Sequence, residues 1–155
     1  MRCLYLHGFA SGPGSKKGLA FEAYFGARGA AVERLDLRIP SLEHLRLSKM
    51  IAHVVDRIAG DDCVLIGSSL GGLTAARVAE RAPSVRALVL MAPAFQLVQR
   101  WRDRLGTGAW HDWQHSGWLA VHDHAEGRPA RVDFDFAIDA LVHDPGWPAP
   151  RVPAL

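Results

Sequence analysis

Cys63-Val64-Leu65-Ile66-Gly67-Ser68-Ser69-Leu70-Gly71-Gly72 is the stretch on which the fold turns. Its first four residues form an apolar run without polar alternation, as in a strand covered on both faces. The run passes through Gly67-Ser68-Ser69-Leu70-Gly71, a Gly-x-Ser-x-Gly, into a helical pattern over 70–82 that stops before Pro83. A strand-to-helix turn this sharp leaves no room for side chains on its flanks. Glycine therefore occupies both outer positions, and the hydroxyl of Ser69 is left projecting at the strand's end. Ser69 is the candidate nucleophile. The bland alternative, a Gly/Ser loop that merely opens a helix, is disfavoured by the buried strand immediately before it.

Working outward, Cys3-Leu4-Tyr5-Leu6 and Ala87-Leu88-Val89-Leu90-Met91 read as two further buried strands, and 31–37, which alternates, as a strand nearer an edge. Helical patterns lie between them at 16–28 after Ser15, at 42–59 and at 70–82. In the middle one Leu47, Ile51, Val54, Val55 and Ile58 share a face, with Ser41 as the expected N-cap and Gly60 just past the end. Strand and helix in alternation mean right-handed βαβ units and a parallel α/β sheet, for which a doubly wound order 2-1-3-4 is the expectation. In that order strands one and three are neighbours, so the loops after them meet.

The loop after strand one is His7-Gly8-Phe9-Ala10-Ser11-Gly12-Pro13-Gly14-Ser15-Lys16-Lys17-Gly18. Gly12-Pro13-Gly14 opens a dinucleotide fingerprint, but Lys17 stands where the third glycine is needed, and no Gly-x-x-x-x-Gly-Lys-Ser/Thr string fits. An oxyanion loop does fit: the backbone N–H near Phe9 joins that of Leu70 to hold the negative oxygen of a tetrahedral intermediate. His7 is expected to brace this loop by hydrogen bonding rather than to act as a base.

Composition bounds the rest. The 155 residues are 49% hydrophobic and 22% charged, which suits one domain, 1–155, with a sizeable core. A net charge of +2 with no basic block offers nothing to nucleic acid. No apolar run approaches the roughly 20 residues of a membrane span, and the N-terminus has no secretory h-region, so a cytoplasmic address is expected. Cys3 and Cys63 sit in strand-like surroundings and are expected as buried thiols. All five tryptophans and five of the eight histidines follow residue 100. This part, from about 96 to 148, reads as a cap over the sheet's C-terminal edge, with helices near 96–105 and 134–142 flanking a hairpin of 117–124 and 130–134. His111 with His115 and His122 with His124 have spacings that metal ligands can use. With no Cys or Glu-x-x-His beside them no metal is assigned, and the tryptophans among them are expected as lining and rim of the cap.

Leu6-His7-Gly8-Phe9, with Ser11, Pro13, Ser15 and Lys16, and Gly67-Ser68-Ser69-Leu70-Gly71-Gly72 together resemble the small bacterial α/β-hydrolase esterases of the YqiA type. The resemblance spans nearly the whole chain, with weaker similarity at Gly117-Trp118 and Val132-Asp133-Phe134-Asp135-Phe136. It implies an α/β-hydrolase-type sheet with helices on both faces and a cap excursion. It also implies a carboxylic-ester hydrolase acting on a small-molecule ester through an acyl-enzyme on Ser69, with Phe9 and Leu70 as oxyanion donors and no cofactor. In this family a strand beginning like Val152-Pro153-Ala154-Leu155 leads on to the catalytic Asp and then His, so 151–155 reads as a fifth-strand stub and the chain as C-terminally incomplete. Candidates within the chain are Asp123, Asp133 or Asp139 with His143. Two alternatives stand beside the esterase: a hydrolase-fold binding protein without a complete triad, and a thioesterase or acyltransferase. The apolar edge of 87–91 is expected to favour self-association.

Overall fold

The computed structural model describes residues 1–144 and 146–155. The apolar runs become β1 (Arg2–Leu6), β3 (Cys63–Ser68) and β4 (Val85–Met91), and the alternating one becomes β2 (Val32–Leu35). All pairings are parallel in the order β2-β1-β3-β4, as the βαβ pattern requires. β2 is an edge strand and keeps the half-buried Glu33 and Arg34, while β1 and β3, which have a neighbour on each side, are apolar and buried along most of their length. In β1, Leu4 and Leu6 enter the main core, whereas Cys3 and Tyr5 face a smaller cluster with Val32, Ile66, Phe21 and Phe25. The first face is covered by α2 (Leu47–Ile58) and α3 (Leu70–Ala79), the second by α1 (Lys16–Gly26).

Two helix boundaries differ from the sequence expectation. Ser15 does cap α1, its Oγ accepting from the Gly18 N–H at 3.2 Å, but Ser41 does not cap α2. Residues 41–46 form a turn in which Ser41 Oγ accepts from the His44 N–H, and Leu42 and Leu45 are buried there, mimicking helical periodicity. Arg46 then takes an extended conformation with its guanidinium on Asp133 at 2.7 Å, so the helix begins at Leu47. At the other end the left-handed turn starts one residue early, at Ala59 (φ 52°), before Gly60 (φ 84°).

Beyond β4 the cap contains α4 (Leu97–Ser116), the hairpin β5 (Trp118–Asp123) and β6 (Arg128–Asp133), and α5 (Asp135–His143). The expected helix near 96–105 runs on to Ser116 because Gly106 (φ 75°, ψ 167°) interrupts the helix without ending it. Its second half buries Trp110 and Trp113, which pack with Phe134. These two tryptophans are buried in the core rather than at a rim, Trp101 lines a cleft, and Trp118 and Trp147 are more exposed. The start of α4 is capped from a distance: the buried Asp144 carboxylate accepts the N–H groups of Leu97 and Val98 at 2.8 and 2.9 Å. Residues 153–155 extend the sheet beyond β4. Leu88 and Leu90 donate to the carbonyls of Pro153 and Leu155, and Leu155 donates back to Leu88. Cys63 is buried and Cys3 partly so, and burial pushes both thiols above their ordinary range. Among the described residues no helix is long and apolar enough to cross a membrane.

Candidate active site

Ser69 follows the last residue of β3 with φ 52° and ψ −117°, a conformation that costs a non-glycine residue about 1–3 kcal/mol. The surroundings impose it. Its N–H donates to Met91 O at 3.0 Å, and its carbonyl accepts from Gly72, Leu73 and Ala94 at 2.9, 3.1 and 3.0 Å. The flanking glycines are required by close backbone approach. A Cβ on Gly67 would stand 2.6 Å from Gly72 Cα, and one on Gly71 would collide with the carbonyl of Leu6 at the end of β1. Strand pairing of Leu6 with Gly67 creates that proximity, so the elbow and the loop after β1 meet as the strand order requires. Gly8 completes the contact, because its missing Cβ would lie 3.3 Å from Ser69 Cβ.

The loop after β1 is held by a turn in which Ser11 donates to Gly8 O, with Ala10 at φ 52°. Beneath it the His7 ring is committed on both nitrogens: Nε2 accepts from the Leu37 N–H at 2.9 Å, so the proton sits on Nδ1, which donates to Gly8 O at 2.9 Å. The Asp36 carboxylate, 3.4 Å from Nε2, therefore meets a lone pair and takes its hydrogen bonds from Arg38. Burial lowers the His7 pKa, consistent with a neutral brace. Burial alone would raise Asp36, but the Arg38 side chain and backbone N–H outweigh it and hold the carboxyl at about 2.

Among the described residues neither the Phe9 N–H nor the Leu70 N–H has an acceptor. Both residues, with Ser69, border a cleft of about 320 Å³ whose far wall is α4, through Arg100, Trp101 and Arg104. The Phe9 ring packs edge-on to Trp101 (centroids 4.8 Å apart) and near Phe136, tying the loop to the cap. A larger groove, about 640 Å³, lies between 36–43 and the hairpin, but Ser69 does not border it and its charges are paired with one another, as in Arg38–Asp36 and Arg131–Glu43.

Other candidate residues fall elsewhere. Asp123 closes the hairpin turn by accepting from Ala125 and Glu126. Asp133 is held by Arg46 and by His44 Nδ1 at 2.7 Å; burial would raise its pKa, and these partners bring it below the ordinary range. Asp139 is bound to Ser48, and His143 faces Arg81 at 3.2 Å. Among the described residues no side chain hydrogen-bonds Ser69 Oγ. His122 and His124 have ring centroids 5.0 Å apart, and no group of three metal-ligating side chains forms among the described residues. Arg100 and Arg104 were not singled out by sequence; the available signal was their i, i+4 spacing on the helix that follows the β4 loop.

The sequence profile of an uncharacterised protein family, UPF0227, matches residues 2–134. No curated protein matches the chain. Among solved structures it is similar to mouse alpha/beta hydrolase domain-containing protein 10 (TM-score 0.76, 21% identity, 98% of this chain and 66% of that one). It is also similar to a putative hydrolase from Agrobacterium vitis S4 (0.77, 19%, 99% and 66%) and to Est1E from Butyrivibrio proteoclasticus, solved with ferulic acid bound (0.72, 19%, 90% and 60%). The chain thus spans about two thirds or less of the length of these structures, and the likeness at such identities is one of fold: α/β hydrolase.

Proposed function

Since the chain belongs to the uncharacterised protein family UPF0227 and has the α/β-hydrolase fold, we propose that it is a serine hydrolase of carboxylic esters with Ser69 as nucleophile. One observation carries this: a serine held at a strained strand-to-helix turn borders a cleft beside two N–H groups, of Phe9 and Leu70, that lack acceptors among the described residues. Ser69 Oγ attacks the ester carbonyl carbon and gives its proton to a general base. The carbonyl oxygen, now negative, is held by the N–H groups of Phe9 and Leu70. Collapse breaks the bond to the leaving alkoxide, which departs with a proton as the alcohol. Water then attacks the acyl-enzyme, releasing the acid and restoring Ser69. Thioester cleavage and acyl transfer to another alcohol share every step up to the acyl-enzyme.

The second reading, a binding protein with the hydrolase pocket, is favoured by the absence of a hydrogen-bonded base at Ser69 Oγ among the described residues. A fluorophosphonate probe separates the two. Covalent label at Ser69 by peptide mapping, abolished in Ser69→Ala, is the expected result; label on another serine, or none, would overturn the nucleophile assignment.

A further inference from the structure

We propose that the cleft is built for an ester carrying a second, anionic group, a carboxylate or phosphate, held by Arg100 and Arg104; this rests on the assignment of Ser69 as nucleophile. The two guanidiniums stand four residues apart on α4, one above the other on the same helix face, and both border the cleft that Ser69 opens into. Neither has a hydrogen bond, ion pair or ring partner among the described residues, whereas nearby Arg102 lies over the Trp110 ring, 5.4 Å from its centroid. The acid between them, Asp103, accepts from Gln99 at 2.8 Å and borders a different depression, and among the described residues no Asp or Glu lines the cleft.

A hydrolase for plain aliphatic esters has no use for two exposed cations, unpaired among the described residues, on the wall of a cleft that Ser69 borders together with the apolar Phe9, Leu70 and Trp101. An ester with a terminal anion lays its chain on that floor and its charge between the guanidinium forks, whose planar donors match carboxylate and phosphate oxygens. The volume, about 320 Å³, is at the small end for ligand sites, so the substrate is short.

The test compares two nitrophenyl alkylphosphonates of equal chain length, one ending in a carboxylate and the other in a methyl group, as labels of Ser69. In the unmodified protein the carboxylate probe is expected to react faster by about tenfold or more, an advantage that shrinks with added salt. In Arg100→Gln/Arg104→Gln that ratio is expected to fall by about tenfold or more, while Arg102→Gln keeps it and Arg100→Lys/Arg104→Lys keeps part of it. Equal rates in the unmodified protein, or a ratio untouched by the double glutamine variant, would overturn the proposal. Calorimetry with adipate and with butyl phosphate, on the unmodified protein and on Ser69→Ala, separates the two anions and the two assignments. Arginine-dependent binding without any label at Ser69 would leave the anion site standing and remove the nucleophile. Label without preference or binding would do the reverse.

Discussion

Replacing Gly71 by alanine tests whether the meeting of β1 and the elbow is as tight as the structure makes it. The added Cβ would collide with the Leu6 carbonyl oxygen and lie 2.6 Å from that of His7, against 3.4–4 Å for ordinary contact. Neither side can withdraw easily. Leu6 is fixed in register to Leu35 on one side and Gly67 on the other, and every residue of α3 is buried. Overpacking typically costs about 1–3 kcal/mol, and with backbone on both sides the upper end applies, about 3 kcal/mol. The better helix propensity of alanine returns about 1 kcal/mol, leaving a net loss of about 2 kcal/mol. Urea unfolding followed by far-ultraviolet circular dichroism and tryptophan fluorescence should show the midpoint lowered by about 1 M. Phosphonate labelling of Ser69 should slow by about a hundredfold, because the clash moves the loop carrying the Phe9 N–H away from the N–H of Leu70. Gly108→Ala is the internal control: its Cβ meets nothing within 4 Å and its backbone is helical, so stability should rise by about 0.5–1 kcal/mol. If the two variants shift the urea midpoint alike, the close-approach argument is wrong.

Three further outcomes follow from particular contacts. The buried, neutral His7 has its pKa lowered below 6.5, so its stabilisation is complete above that value and is lost as pH falls toward the folded-state pKa. Unfolding free energy should therefore decline on acidification below about pH 6.5, and His7→Gln should flatten that decline; an unchanged slope would refute the assignment. Asp144→Ala leaves two buried N–H groups at the start of α4 unsatisfied and should cost about 3 kcal/mol in urea unfolding; a loss below about 1 kcal/mol would contradict the capping role. Deleting 151–155 uncovers the Leu88 and Leu90 N–H groups, and light scattering should then show concentration-dependent self-association through β4; a variant that remains monomeric would argue against that edge as the sticky one.

The strands, their parallel pairing and the sharp turn at Ser69 were legible in the sequence because they depend on local signals. Uninterrupted apolar runs identify β1 and β3 as covered on both faces and mark β4 as a strand, although only Val85 and Leu88 of β4 are buried, and Gly67 and Gly71 stand where backbone passes backbone. The N-terminus of α2 was not legible, because Leu42 and Leu45 continue the helical period on a turn, and what pulls Arg46 out of the helix is Asp133, 87 residues away. The length of α4 was hidden for a related reason: the chain leaves helical geometry at Gly106, just past the expected helix of 96–105, and resumes it where Trp110 and Trp113 are buried against Phe134. That Ser69, Phe9 and Leu70 border one cleft follows from motif and strand order. The facing wall does not. Arg100 and Arg104 are two arginines on a polar-looking helix until α4 is laid across the elbow, and Asp139 and His143 look like a pair until Ser48 and Arg81 claim them separately. Periodicity and turn chemistry are written in neighbouring residues, so the sequence alone determined the sheet and the elbow. Which charge meets which across the chain depends on long-range packing, and only the tertiary structure decided it.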